Sequence, residues 1–371
     1  MFEETRPYYD EEIPAAIARV ANHPLFETIV HHIAPDADIE EYRQDFLRIR
    51  TIREFQTRVM FQAINSILQR TSDGLTHAGF DTLDPDKQYM FVANHRDILL
   101  DAAILQVLLH EHHLDTSEIT FGSNLMQGGL VTDIGKMNKM FRIVRGGTAH
   151  DFYRNSMEVS SYMRYALTQK RQSVWIAQRN GRTKDGSDRT ESAELKMFSI
   201  SSSLPFADNL NELSITPVAI SYEYEPCDIA KTQELFIAQY QPYIKEPGED
   251  LRSIIQGIMQ HKGHIHLAVM PTITREELDE CARQEKNARF SALAKTIDQR
   301  IRDGYHLWPN NYIAYDLLHH CNRFADRYNP EERNRFIDYM MQGLQQLQGE
   351  EDELHNIFLG IYANPVVFKQ G

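Results

Sequence analysis

With 371 residues, 42% of them hydrophobic and 25% charged, the chain can bury a full core and is not composed like a disordered segment. Its net charge of −14 excludes nucleic acid as the main partner, because phosphate backbones bind basic surfaces. Three scattered cysteines, Cys227, Cys281 and Cys321, supply neither a disulfide framework nor a CxxC metal pattern, which predicts a reducing, cytoplasmic setting.

The opening MFEETRPYYDEEIPAAIARV is acidic and lacks the basic start and apolar run of a signal peptide. No uninterrupted apolar stretch reaches the roughly 20 residues of a membrane-spanning helix, so any work on lipid is expected from the membrane surface. Residues 9–72 repeat apolar groups at three- and four-residue spacing, with Ile52, Phe55, Val59 and Ile67 near one face. That pattern predicts helices whose stripe faces a core, and residues 1–84 are read as a helical N-terminal region.

From residue 88 short apolar runs alternate with longer periodic segments: QYMFVAN (88–94), EITFGS (118–123), FRIV (141–144), QSVWIAQ (172–178), SITPVAISYEY (214–224) and GHIHLAVM (263–270). Helical patterns fall between most of them, which favours an α/β domain, placed at 85–273, with a largely parallel mixed sheet flanked by helices. Ligands of such sheets sit beyond the carboxyl ends of the strands. Residues 274–371 return to helical patterns, and no Pro/Gly/Ser-rich break isolates either helical addition from the α/β unit.

The loop after YMFVAN carries His95-Arg96-Asp97, followed by the apolar helix ILLDAAILQVLL. A histidine there faces the strand-end cleft, and Asp97 or Asp101 is close enough to hold one ring nitrogen while the other takes a proton. The same residues also suit a helix cap, with Asn94 or Asp97 bonding free backbone N–H groups. The loop after VWIA contains Arg179, Gly181, Arg182, Lys184 and Arg189, whose forks and glycine-permitted N–H groups suit phosphate oxygens, or simply a solvated loop. Arg145 follows the FRIV run. Residues 136–196 hold thirteen Lys/Arg against six Asp/Glu, a basic island of +7 that predicts a local anionic ligand and reversible attachment to anionic membranes.

A strand ending in Asn-His before an acid, an Arg after a Phe-containing strand, a Gly-Arg loop and a Pro-led strand, in this order, resemble the four-block pattern of glycerol-3-phosphate and lysophosphatidate acyltransferases. The resemblance covers roughly residues 85–225, and NHRDILLD, WIAQRNGRTKDG and ITPVAISYEY look closest to the acyltransferases of Bacteroidetes-type bacteria. The family's first block has His, four residues, then Asp; Leu100 stands in that place here, with Asp101 one residue late and Asp97 early. Its third block has Glu-Gly-Thr-Arg or a close variant, against Asn180-Gly181-Arg182 here.

The resemblance implies a glycerolipid acyltransferase fold and an acyl group passing from acyl-CoA or acyl-carrier protein to a hydroxyl of lysophosphatidate, with glycerol 3-phosphate or an amino-acid lipid as other acceptors; the two departures also admit a catalytically silent lipid- or anion-binding relative. Carried over by position, His95 is the general base and Asp101 or Asp97 its orienter; a one-residue bulge in the turn would favour Asp101, leaving Asp97 to cap the helix. Arg145 and Arg182 are implied phosphate contacts, joined in the acceptor site by Arg179, Gly181 and Lys184, and Pro217 is an element near the acyl channel. No metal or redox cofactor is called for, and the expected place is the inner face of the cell membrane.

Other signals are set aside. His95-Arg96-Asp97 with Asp133-Ile134-Gly135 lacks the Asn and glycine-rich loop of a kinase, and Gly129 to Lys136 has one residue too many for a Walker loop. His110-Glu111-His112-His113 does not form HExxH, and His264 with His266 lacks an evident third ligand. No GxSxG is present.

Overall fold

The computed structural model describes residues 2–126, 128–144 and 147–370. All six apolar runs form strands, joined by one that the sequence reading did not find: β1 (Gly74–Ala78), β2 (Met90–Ala93), β3 (Glu118–Gly122), β4 (Met140–Ile143), β5 (Val174–Ala177), β6 (Ile215–Tyr222) and β7 (His264–Val269). They build one seven-stranded sheet in the order β1-β7-β6-β2-β5-β3-β4. Strands β6, β2, β5, β3 and β4 are parallel neighbours, while β7 runs antiparallel to β6 and carries β1 parallel to itself. The architecture is therefore a mostly parallel mixed sheet flanked by helices, with helical extensions at both ends.

The strands of a sheet covered on both faces read as continuous apolar runs rather than alternating ones. MFVA of β2 and VWIA of β5 are buried throughout for this reason. One face packs Phe91, Ala93, Trp175 and Ala177 against the helix Leu100–Glu111, which is apolar on nearly every side because sheet and N-terminal helices enclose it. The other face packs Met90, Val92, Val174 and Ile176 against the helices Ala149–Thr168 and Arg289–Gly304.

The N-terminal helices Ile13–Ala21, Phe26–Ile33 and Ile39–Leu47 share a core with Phe55 and Val59. The expected stripe does face core: Phe55, Val59 and Ile67 are buried, along a run that passes through a wide turn at Gln56–Met60. Strand β1 corrects the expected boundary at residue 84. It pairs with β7 and belongs to the sheet, so the helical region ends near Thr71. Its GLTHA carries one large apolar residue and lies at a half-exposed sheet edge, so neither alternation nor an apolar run marks it. At the other end the helices Pro309–Leu318, Pro330–Leu344 and Glu351–Gln370 form their own core around Ile313, Phe336, Phe358 and Tyr362.

Candidate active site

The carboxyl ends of β2, β3 and β5 open together, and the loop after β2 delivers His95 there. The helix begins only at Leu100, so residues 96–99 form a turn that absorbs the extra residue and brings Asp101 back over the loop. Asp101 Oδ2 lies 2.9 Å from His95 Nδ1 and accepts the backbone N–H groups of Arg96 at 2.6 Å and Asp97 at 2.9 Å. Its Oδ1 accepts the Tyr222 hydroxyl at 2.7 Å. A carboxylate receiving so many donors is an acceptor throughout, which assigns the proton of this pair to Nδ1 and leaves the lone pair on Nε2. The His95 ring meets the Trp175 ring edge-on at 5.6 Å.

Asp97 is turned to other work. Its Oδ1 accepts Leu99 N–H at 2.8 Å and Leu100 N–H at 2.7 Å, an end-cap of the helix. Burial pushes the Asp97 carboxyl above its ordinary range, and the charge of Asp101 adds to that push. A helix running Glu249–Met259 lies so close that a Cβ at Gly257 would collide with Asp97 Oδ2, an atom with no partner among the described residues.

Beneath the loop lies a buried charge network that the sequence did not reveal. Arg96, fully buried, donates to Asp188 at 2.6 Å and Glu225 at 3.0 Å, and Lys231 donates to Glu225 at 2.5 Å and to the Arg96 carbonyl at 2.9 Å. Burial opposes the Arg96 charge, but Asp188 and Glu225 outweigh it and hold the guanidinium firmly protonated. Asn94 ties the ends of β2 and β6 to this network through Ile220 and Asp188. Thr183 N–H donates to the His95 carbonyl at 2.7 Å, which locks the loop after β5 onto the histidine loop. The helix Asp228–Tyr240 and the C-terminal helix meet behind it, where Tyr362 donates to Asp228 at 2.6 Å.

His95 opens into a cavity of about 440 Å³, a size suited to a small ligand or part of a larger one. Its lining includes the apolar Leu99, Ile119, Phe121, Met140, Ile143 and Trp175 and the charged Arg179, Arg182, Lys184 and Lys245 with Glu234 and Asp250. Gly181 holds the loop at φ +76°, a left-handed turn in which a side chain would be strained. Arg182 is almost wholly buried beside Cys227, and its Nη1 has no hydrogen-bond partner among the described residues. Lys184 is paired with Glu234, and Arg179 lies 3.9 Å from Glu191. Another cavity, of about 540 Å³, lies at the opposite end of the sheet near Thr116 and Lys139; burial pushes Lys139 down to about 8, and internal acceptors hold it. Among the described residues, no histidine lining that cavity is paired with a carboxylate.

The structure thus brings together His95, Asp101, Asp97, Arg179, Gly181, Arg182 and Lys184 from the sequence reading. Arg145 lies outside the described residues. Pro217 does not line the cavity: it is in register with Val92, whose face of the sheet is opposite to that of Trp175 and Ala177. The basic island is also less available than its charge suggests, because Lys139, Arg164 and Lys170 turn inward to Gln172, Glu212 and Glu118. His264, for which no third ligand was evident, stands with Glu223 and Asp73, all three offering ligand atoms within 4.8 Å of one another near the surface. Tyr222 was missed because its tie to Asp101 spans 121 residues of chain; its place at the end of the strand beside β2 was the available signal.

Residues 74–221 match the profile of the family described as Acyltransferase. No curated protein matches the chain. Among solved structures it is similar to the 1-acyl-sn-glycerophosphate (LPA) acyltransferase, PlsC, from Thermotoga maritima, at 12% identity and a TM-score of 0.39, over 78% of this chain and 92% of that one.

Proposed function

We propose that this chain, an O-acyltransferase with its acyltransferase domain over residues 74–221, moves a fatty acyl group from acyl-CoA or acyl-carrier protein to lysophosphatidate, giving phosphatidate. The observation that carries the reading is the His95–Asp101 pair opening into a cavity lined by both apolar and basic side chains. An acyl chain suits the apolar lining, and the acceptor phosphate suits Arg182 with Arg179 and Lys184, so that the hydroxyl and the thioester would meet at His95. His95 Nε2 takes the hydroxyl proton as the oxygen attacks the thioester carbonyl. The C–S bond then breaks, and the departing thiolate takes that proton from the imidazolium, which returns His95 to its starting state.

Asp101 stabilises the imidazolium while it lasts, and Tyr222 keeps Asp101 oriented; burial, with the charge of Asp101 next, raises the Tyr222 hydroxyl far above its usual range and keeps it a donor. Thioester, hydroxyl and His95 account for every proton and electron pair, so this mechanism calls for no metal or redox cofactor. No helix among the described residues is long and apolar enough to cross a membrane. The reading places the enzyme at the inner face of the cell membrane, where lysolipid is found, with the anionic surface as a further partner. Incubation with acyl-CoA or acyl-carrier-protein thioester and a panel of lysophosphatidate, glycerol 3-phosphate and amino-acid lysolipids tests it. Free thiol and phosphatidate should appear together with lysophosphatidate. Transfer to another acceptor in its absence would change the substrate assignment.

A further inference from the structure

The helix Glu249–Met259 has a buried side and an exposed apolar side. Its inner side carries Ser253 and Gly257, both buried, with Gly257 against Asp97 and Ile258 on the sheet core. Its outer side carries Leu251, Ile255 and Met259 at four-residue intervals, each between 53% and 58% exposed. Residues four apart fall on one helical face, so these three make a continuous stripe of about two turns. Just before the helix stands Ile244, 84% exposed. A soluble surface scatters such residues singly, and a run of them beside a ligand cavity marks a contact.

The position of this element says what the contact is. Lys245, Asp250 and Asn124 line the His95 cavity; Lys245 donates to Asp250 at 2.5 Å, and Asp250 accepts Asn124 at 2.8 Å. The stripe therefore starts at Leu251, next in sequence to a residue that lines the His95 cavity. A second protein is a poor fit, because three helical side chains and Ile244 expose far less than the roughly 800 Å² per partner that a standard interface buries. A bilayer needs no closed complement and takes an apolar face a few ångströms into its headgroup boundary. Arg252, exposed beside the stripe, is paired with Glu246.

We infer that Leu251, Ile255 and Met259, with Ile244, form the surface that docks this protein on a lipid bilayer, placing the cavity mouth against the headgroups. The inference rests on the lysolipid reading above, because a bilayer substrate is what makes docking at this mouth useful. It assigns attachment to the apolar stripe and not to the 136–196 basic island, in which Lys139, Arg164 and Lys170 are held by Gln172, Glu212 and Glu118.

Sedimentation with vesicles of phosphatidylglycerol and phosphatidylethanolamine tests it without any turnover. The wild-type protein should bind and remain bound at high salt. Combined Leu251→Asp, Ile255→Asp and Met259→Asp should cut partitioning by roughly tenfold or more while melting as the wild type does. Ile255→Trp, which leaves the face apolar, should gain a blue-shifted emission on the same vesicles. Vesicle binding unchanged in a folded triple variant, or no shift at position 255, overturns the docking surface; so does a wild-type dimer that the triple variant dissolves without change in vesicle binding. A wild type that docks through the stripe but transfers no acyl group leaves the surface standing and removes only the acyltransferase substrate reading.

Discussion

Exchanging a carboxylate for an amide at two neighbouring positions separates the two roles that the site gives its acids. In Asp101→Asn the side-chain oxygen can still accept Arg96 and Asp97 N–H, and the new amide can donate to the Tyr222 oxygen, so the turn should fold. What is lost is the charge beside His95 Nδ1, 2.9 Å away. A buried hydrogen bond to a charged group is worth roughly 1.5–3 kcal/mol. If that difference is felt when the imidazolium forms, kcat falls roughly ten- to two-hundredfold at about 1.4 kcal/mol per tenfold, with KM for the acceptor little changed. In Asp97→Asn the cap of Leu99 and Leu100 survives as a weaker neutral pair and a buried charge disappears, so melting temperature should move more than kcat. Steady-state kinetics and thermal melting of both variants decide the matter. Full kcat in Asp101→Asn beside a large loss in Asp97→Asn would refute the assignment.

If Arg182 holds the acceptor phosphate, Arg182→Ala should raise the acceptor KM by about ten- to a hundredfold with a smaller change in kcat, since such a clamp acts in ground and transition states alike; an unchanged KM would move the phosphate elsewhere. Tyr222→Phe leaves Asp101 Oδ1 without its partner and should cost about 1–3 kcal/mol of stability, read by urea unfolding, with a severalfold loss in kcat. If neither changes, the tyrosine is idle. Burial pushes Asp228 up to about 6, so between about pH 4 and 6 the folded protein keeps a proton that the unfolded chain has released. Stability therefore falls as pH rises through that window and stays reduced above it, by roughly 3 kcal/mol at 1.36 kcal/mol per unit. Asp228→Asn should flatten melting temperature across this range; a profile as steep as the wild type's would mean that the carboxyl titrates elsewhere.

The sheet was legible wherever burial on both faces wrote an apolar run, as in MFVA and VWIA, and illegible at β1, whose edge position asks little of its sequence. His95 could be read because a strand end followed at once by an apolar helix fixes where its side chain points. The choice between Asp97 and Asp101 depended on turn geometry, which spacing alone leaves open; the late helix start at Leu100 supplies it. Summed charge misjudged the basic island, since a count cannot tell Arg164, held by Glu212, from a solvated arginine. The network joining Arg96 to Asp188, Glu225 and Lys231 left no local trace because its members are brought together only by the closed sheet and the C-terminal helices. Residue order likewise placed Pro217 near the chemistry, whereas strand register puts it on the far face.

The measurement that bears most directly on the central claim is acyl transfer by purified wild-type protein and His95→Ala, assayed side by side with an acyl thioester and lysophosphatidate. General-base catalysis typically contributes about 10²–10⁴ in rate. The account predicts phosphatidate from the wild type and at least a hundredfold lower kcat in His95→Ala at an unchanged melting temperature. Full activity in a folded His95→Ala would contradict it.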